Sequence, residues 1–307
     1  MTSALPWFDA ERVFSAVGFP AAIDALERAL AEGHDPAADS ARSIVPVQHG
    51  QLLLMPSEVA GFAGVKLASV APGNPAHGLP RIQALYVVLD SATLTPRALL
   101  DGTALTTLRT PALSAVAARH LAADGPARLL VFGSGPQAWG HVHAIAAVRD
   151  LHEVVIAGRS AVRAEALARG LRDEGFTARA GSAADVVTAS IVVCATTAAS
   201  PVFDGAAVDD DALVIAVGSH EPGLRELDGR LVGRSQLVVE DPATALREAG
   251  DVIIAIAEGR TREAHLVPLA SIVRGEASVD RTRPRVFKSV GMGWEDLVVA
   301  ASCLDAG

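Results

Sequence analysis

Two cysteines, Cys194 and Cys303, are all that the 307 residues contain, which excludes a disulfide framework. Cys194 ends the apolar run Ile191-Val192-Val193-Cys194, so the expectation is a buried thiol in a reducing cytoplasm. Positive charge is also short. The 26 Lys and Arg against 35 Asp and Glu leave a net charge of −9, a balance that argues against a nucleic-acid or anionic-membrane partner. No apolar stretch reaches the length of a membrane span. The stretch from Met1 to Trp7 has neither a basic segment nor a long apolar core, so no signal peptide is expected. Internal repeats, low-complexity tracts and flexible linkers are missing as well. What is left, 50% apolar and 20% charged, is the balance of a globular enzyme long enough for two domains.

Against those absences one stretch stands out. Leu129-Leu130-Val131-Phe132 runs into Gly133-Ser134-Gly135-Pro136-Gln137-Ala138, and a second apolar run, Val154-Val155-Ile156-Ala157, ends in Gly158-Arg159-Ser160. An apolar run, a G-x-G-x-x-A turn, a helical segment and a second apolar run make the βαβ pattern of a dinucleotide site. Gly133 allows the tight turn, Gly135 admits the pyrophosphate to the backbone, and Ala138 lets helix and strand pack closely. The helix N-terminus then offers unpaired N–H groups to the phosphates. An NAD site usually carries Asp or Glu at the end of the second strand, to bind the ribose 2′-hydroxyl. Here Arg159, Ser160 and, one turn on, Arg163 stand there instead, and they suit a 2′-phosphate. The expected cofactor is NADP(H), with NAD(H) as a second possibility. A Gly-rich turn with no ligand and a solvated loop arginine also fit these residues.

The rest of the chain sorts into two textures. Residues 7–33 read as helical, with Ala21 to Leu30 apolar at a 3.6-residue period and Gly33 as a stop. Short β-like runs follow at Ser43–Val47, Gln51–Pro56, Gly64–Val70 and Ala84–Asp90. A helix is expected over Thr110–Ala123. Strand-like runs at 129–132, 154–157, 191–195, 213–217 and 236–240 then alternate with helical stretches, which implies a parallel doubly wound sheet. Phe287–Gly293 leads into a last helix, expected to return to the first domain. The fold class is therefore α/β: a Rossmann-type doubly wound sheet plus a sheet-rich α+β domain for substrate and dimerisation. Boundaries are set at 1–112 with 290–307 for the latter, and at 113–289 for the nucleotide domain.

Nicotinamide chemistry needs groups that grip a substrate and move protons. Lys66 is a cation in an apolar strand; if buried, it must be partnered or its pKa must fall, and both suit an acid/base role. A lysine on the wet face of the strand fits the alternation equally. Arg42 and Arg109 are candidate guanidinium forks for a carboxylate, though lone arginines are usually surface residues. His220 follows the strand Val214–Val217, at the carboxyl end where α/β sheets place ligands.

In combination these segments resemble the ornithine cyclodeaminase/μ-crystallin family along nearly the whole chain. They are Arg42, Leu54-Met55-Pro56, Gly64-Val65-Lys66, Pro72-Gly73-Asn74 with Gly78-Leu79-Pro80, Leu100-Asp101-Gly102, and Leu105 through Thr110. The turn Gly133–Ala138, Ala195-Thr196-Thr197, Arg225-Glu226-Leu227-Asp228 and Phe287–Gly291 complete the set. The resemblance implies a homodimer joined through the sheets of the first domains. It places the family's carboxylate-binding arginines on Arg42 and Arg109, its active-site lysine on Lys66, and a further substrate contact on Met55. It implies cofactor contacts at Arg109, Thr110, Ser134, Gln137, Ala195, Thr196, Thr197, Val217, Gly218 and Ser289. The family's 2′-phosphate binders fall on Gly158-Arg159-Ser160, in agreement with the direct reading. No metal is implied.

One position departs from the pattern. Ornithine cyclodeaminases carry an aspartate in the loop after the strand that ends at Val217-Gly218, and this chain has His220, with Glu221 beside it. A carboxylate stays an anionic base at neutral pH, whereas histidine both donates and accepts. The expected activity is therefore NADPH-dependent reduction of a carboxylate-bearing imine such as 1-pyrroline-2-carboxylate or 1-piperideine-2-carboxylate, or a related amino-acid dehydrogenase. Lys66 is the expected proton relay and His220 the alternative donor. Two other readings stand beside it: an ornithine cyclodeaminase forming proline and ammonia, and a non-enzymatic small-molecule binder like μ-crystallin.

Overall fold

The β-like runs of the first hundred residues lengthen into true strands in the computed structural model, which describes residues 4–305. In chain order the elements are β1 (Trp7–Phe8), α1 (Ala10–Ala16), α2 (Phe19–Ala31), β2 (Ser43–Val47), β3 (Gly50–Val59), β4 (Phe62–Val70), β5 (Ile82–Asp90), β6 (Pro96–Asp101) and α3 (Gly102–Leu121). Next come β7 (Ala127–Phe132), α4 (Pro136–Ala146), β8 (Leu151–Ala157), α5 (Ala161–Asp173), β9 (Ala178–Ala180), β10 (Ile191–Cys194) and β11 (Leu213–Ala216). The chain closes with α6 (Gly229–Arg234), β12 (Gln236–Val239), α7 (Pro242–Glu248), α8 (Gly250–Ala257), β13 (Leu266–Pro268), α9 (Leu269–Val273), β14 (Arg285–Lys288) and α10 (Gly293–Asp305). Two units result, 1–110 with 292–307 and 111–291. The division falls inside α3 at Pro111, whose missing N–H leaves the helix without one of its i→i−4 bonds.

The first unit holds a six-stranded sheet in the order β1-β6-β5-β4-β3-β2. Strands β2 to β6 run antiparallel to their neighbours, and β1 lies parallel to β6. The β3–β4 hairpin closes on Ala60 and Gly61, both at positive φ, the backbone that a tight hairpin turn requires. Alternation in β4 turns Gly64, Lys66, Ala68 and Val70 inward, where α10 covers the sheet with Trp294 and Leu297 and is itself packed against α2, whose Ile23, Leu26 and Leu30 are buried. Helix α3 starts eight residues before the expected Thr110, because the Asp101 carboxylate accepts from the N–H groups of Thr103 and Ala104 at 2.9 and 3.0 Å and caps it. Its threonine-rich first turns had hidden that start.

The second unit is built on eight parallel strands in the order β13-β12-β14-β11-β10-β7-β8-β9. Strands β8 and β9 lie on one side of β7 and all the others lie beyond β10. The order therefore reverses between β7 and β10, the topological switch point at which such sheets bind their ligands. The four-residue strands β10, β11, β12 and β14 are buried throughout, which explains apolar runs without alternation. Phe287-Lys288, expected only to lead into the last helix, is part of β14, which is inserted between β11 and β12.

Candidate active site

In the first unit, three neighbouring strands set Met55, Lys66 and Tyr86 side by side, since Met55 is paired with Lys66 across β3–β4 and Lys66 with Tyr86 across β4–β5. Cross-strand partners share a face, and this is the buried one: Lys66 is 3% exposed and Tyr86 0%. The tyrosine ring reaches over Gly64, where a Cβ would stand 2.5 Å from the phenolic oxygen; glycine is needed there for Tyr86 to fit. Arg42 lies one residue before the terminal pair Ser43–Leu54 of β2–β3, at the end of the same row and partly exposed.

Lysine 66 is partnered from the N-terminal turn of α10. Its Nζ donates to Asp296 Oδ2 at 2.6 Å and lies 3.4 Å from Thr106 Oγ1. Arg109, from α3, donates to Glu295 and brings its Nε within 3.4 Å of Asp296 Oδ1. Two cations thus meet two carboxylates, all buried, and the acids occupy the helix turn where the macrodipole favours them. The turn itself is anchored: Asp39 accepts from Trp294 N–H at 2.7 Å, and Glu295 from Met292 N–H at 2.8 Å. Burial pushes the Lys66 ammonium down, Asp296 pulls it back and Arg109 pushes it down again, leaving a pKa of about 8. Such a group is able to give or take a proton near neutral pH. Burial, reinforced by Asp296 and Asp39, pushes the Tyr86 phenol well above its ordinary value, so its hydroxyl stays protonated.

Glu295 and Asp296 were missed in the sequence, where Trp294–Ala301 reads simply as a helix. The available signal was two adjacent acids opening an otherwise apolar segment.

In the second unit, a cavity of about 660 Å³ lies over the carboxyl ends of β7, β8, β9 and β10. At Gly133, φ is +131° and a Cβ would stand 2.6 Å from the Ala195 carbonyl oxygen, so the turn excludes a side chain. At Gly135 the corresponding space is open. Gly135 is also the N-cap of α4 and provides no side-chain cap, leaving first-turn N–H groups for an anion. Ser134, Gly158, Arg159, Ser160, Arg163 and Ala195 to Thr197 line the cavity as well. Arg159 and Arg163 are exposed to it, and Ser160 caps α5 by accepting from Arg163 N–H at 3.4 Å. Among residues 158–163 there is no carboxylate.

Gly181, Ser182 and Ala183 also line this cavity. They escaped notice because β9, which delivers them, is only three residues long.

The remaining candidates lie elsewhere. Gln137 is in the first turn of α4, its carbonyl accepting from His141 at 2.7 Å. Thr110 is buried in α3. Val217 and Gly218 follow β11, and His220 is exposed two residues further on. The Ser289 hydroxyl is buried and donates to Glu240 at 2.6 Å. The residues around the cavity fit a nicotinamide dinucleotide: an uncapped helix end, a turn open at Gly135, and cations where the adenosine ribose belongs.

A model of the ornithine cyclodeaminase/mu-crystallin family matches residues 9–306. The chain is 35% identical, over 99% of its length and 96% of the other's, to the Delta(1)-pyrroline-2-carboxylate/Delta(1)-piperideine-2-carboxylate reductase of Azospirillum brasilense. Among solved structures it is similar to the Delta(1)-pyrroline-2-carboxylate reductase of Thermococcus litoralis in complex with NADH and L-proline. That match has a TM-score of 0.93 and 29% identity, covering 98% of this chain and 97% of the other. An archaeal alanine dehydrogenase dimer with bound NAD has a TM-score of 0.92 at 26% identity, with 98% and 95% covered.

Proposed function

The chain belongs to the ornithine cyclodeaminase/mu-crystallin family, and on that premise we propose that it is an NAD(P)H-dependent reductase of a cyclic imine bearing a carboxylate. The substrate class is that of 1-pyrroline-2-carboxylate and 1-piperideine-2-carboxylate, the compounds for which the Azospirillum relative is named. The observation that carries the proposal is the buried Lys66–Asp296 pair at 2.6 Å. Reduction of C=N requires a hydride at carbon and a proton at nitrogen. When bound, the reduced nicotinamide supplies the hydride. Lys66 supplies the proton from its ammonium and is reprotonated from solvent after turnover. Asp296 holds Nζ in place and keeps enough of it charged at neutral pH. Arg109, oriented by Glu295 and Asp296, and Arg42 bind the substrate carboxylate. His220 is the alternative donor.

NADPH is the preferred cofactor in this reading, because Arg159, Ser160 and Arg163 line the cavity where a ribose-binding carboxylate would stand in an NAD site. The protein acts as a homodimer: the outer face of the first sheet leaves Val45, Val47 and Leu67 exposed, an apolar face suited to a second copy. Two buried free cysteines suit a cytoplasmic location. Among the described residues no helix is long and apolar enough to cross a membrane.

The test is a panel of cyclic 2-imino carboxylates assayed by loss of reduced-nicotinamide absorbance, with ornithine as the contrasting substrate. Turnover is expected with the imines. Lys66→Met is expected to lower kcat by about 10²–10⁴-fold with NADPH affinity nearly unchanged. Lys66→Arg is not expected to rescue, because a guanidinium does not release its proton at neutral pH. Proline and ammonia formed from ornithine at a substantial rate, with no imine turnover, would assign the protein to cyclodeamination instead.

A further inference from the structure

The Arg225-Glu226-Leu227-Asp228 segment contributes nothing to the chemistry above, yet Glu226 is 0% exposed and its carboxylate ties two loops together. Its Oε1 accepts from the backbone N–H and the hydroxyl of Thr196, at 2.8 and 2.7 Å, and its Oε2 accepts from Gly218 N–H at 2.7 Å. Thr196 follows β10, and Gly218 follows β11. The loops touch: a Cβ at Gly218 would stand 2.0 Å from the Thr196 carbonyl oxygen and 2.5 Å from Glu226 Oε1.

Glu226 is itself held from behind. Asp251 Oδ1 accepts from the N–H groups of Glu226 and Leu227 at 2.7 and 2.8 Å, and Lys288 Nζ stands 3.1 Å from Asp251 Oδ2. The same Nζ donates to the Ser219 carbonyl at 2.5 Å, returning the network to the loop after β11. Burial pushes the Glu226 carboxyl above its usual range, and Lys288 with the Thr196 donors opposes this.

Two acids and a lysine buried together are a poor way to gain stability, since well-packed apolar residues usually do as well or better. What a carboxylate adds is direction: three donors are held at fixed spacing in two separate loops. The sheet says what those loops receive. One half of the fold, β7-β8-β9, carries the G-x-G-x-x-A turn and Arg159, the adenosine side. Across the switch point the carboxyl ends of β10 and β11 face the other mononucleotide, the nicotinamide.

We propose that Glu226 is a positioning residue for the nicotinamide half of the cofactor, setting the spacing of the 195–198 and 217–219 loops while leaving the adenosine half untouched. This rests on the reading that the protein binds a nicotinamide dinucleotide. Glu226→Gln keeps the size but presents an amide N–H₂ to one of the three donors. Dissociation constants are compared for two probes, NADPH and 2′-phospho-ADP-ribose, which lacks the nicotinamide. The variant is expected to weaken NADPH by about 10- to 100-fold, the loss of one charge-assisted hydrogen bond, and to bind 2′-phospho-ADP-ribose as the wild type does. Glu226→Asp, which restores the charge, is expected to recover part of the NADPH affinity. Equal losses for both probes, or no loss for either, overturn the proposal and make Glu226 a strut of the domain. Should Glu226→Gln fail to fold, Asp251→Asn, which lies outside the cavity and loosens the hold on the Glu226 and Leu227 N–H groups, is read by the same comparison. A wild-type protein that binds neither probe overturns the cofactor reading, and with it the proposal.

Discussion

Replacing Asp296 by asparagine probes the Lys66–Asp296 pair to which the proposed function assigns the proton transfer. Asparagine has the size of aspartate and still accepts from Lys66 Nζ, so the packing is retained and only the charge is lost. In the native protein burial lowers the Lys66 pKa, Asp296 raises it, Arg109 lowers it and Glu295 raises it more weakly, with the balance at about 8. The substitution removes the main opposing influence and leaves burial and Arg109 against the ammonium, with the weaker Glu295 in its favour. An opposite charge at contact distance shifts a pKa by about 1–3, or roughly 1.4–4 kcal/mol. The variant lysine is therefore mostly neutral at physiological pH. If its ammonium is the proton donor, kcat in the native enzyme falls above about pH 8, and in Asp296→Asn the falling limb moves down by about one pH unit or more. The assay is kcat for imine reduction against pH, both proteins in the same buffers, so that ionisation of the imine itself cancels in the comparison. A limb that stays in place or moves up in Asp296→Asn, or a loss of rate that is the same at every pH, refutes Lys66 as the donor controlled by Asp296.

Arg159→Ala is expected to raise the KM for NADPH by about tenfold or more, the value of one charge-assisted phosphate contact, and to leave the KM for NADH nearly unchanged; equal effects would make Arg159 a structural residue. His141 is fully buried, its Nδ1 donating to Gln137 O and its Nε2 accepting from the Ser114 hydroxyl, and burial pushes its pKa from 6.5 to about 4. The unfolded chain takes up a proton first on acidification, so stability is lost as pH falls from about 6.5 towards 4, by about 3 kcal/mol at full titration; urea midpoints against pH should show a shallower decline in His141→Asn, and parallel curves would count against it. Light scattering at micromolar concentration is expected to give a dimer mass, and Val45→Glu, on the outer face of β2, a monomer; a monomeric native protein would remove the need for a second copy.

Runs such as Leu129–Phe132 and Val154–Ala157 were legible because strand, Gly-rich turn and helix lie in one continuous stretch, where local sterics set the backbone. The strands β2 to β5 were legible from their bounded apolar runs. Among those that escaped, β1 is two residues long at the start of a stretch that reads as helical, and β6 spans Pro96–Asp101, a segment with no element expected of it; the others are of two kinds. Strands β9 and β13 are three residues each, too short to carry a period. Strand β14 occupies the middle of a sheet between partners distant in sequence, and nothing local distinguishes a central strand from the approach to a helix.

The residues of the candidate site divide in the same way. Lys66 was legible as a cation in an apolar strand, and Arg159 as a cation where an NAD site has a carboxylate; identity and immediate neighbours suffice for both. Whether Lys66 faced water or the core was not legible, because alternation defines two faces without saying which is covered. That was decided by α10, laid on β3 and β4, which brings Asp296 to Lys66 across 230 residues of sequence. Glu226 likewise joins loops from β10 and β11 that only the sheet makes adjacent. The sequence by itself determined which side chains are available and which backbone turns are possible. The tertiary structure alone decided which charges share a dry interior, and so which of them are held at a pKa suited to moving a proton.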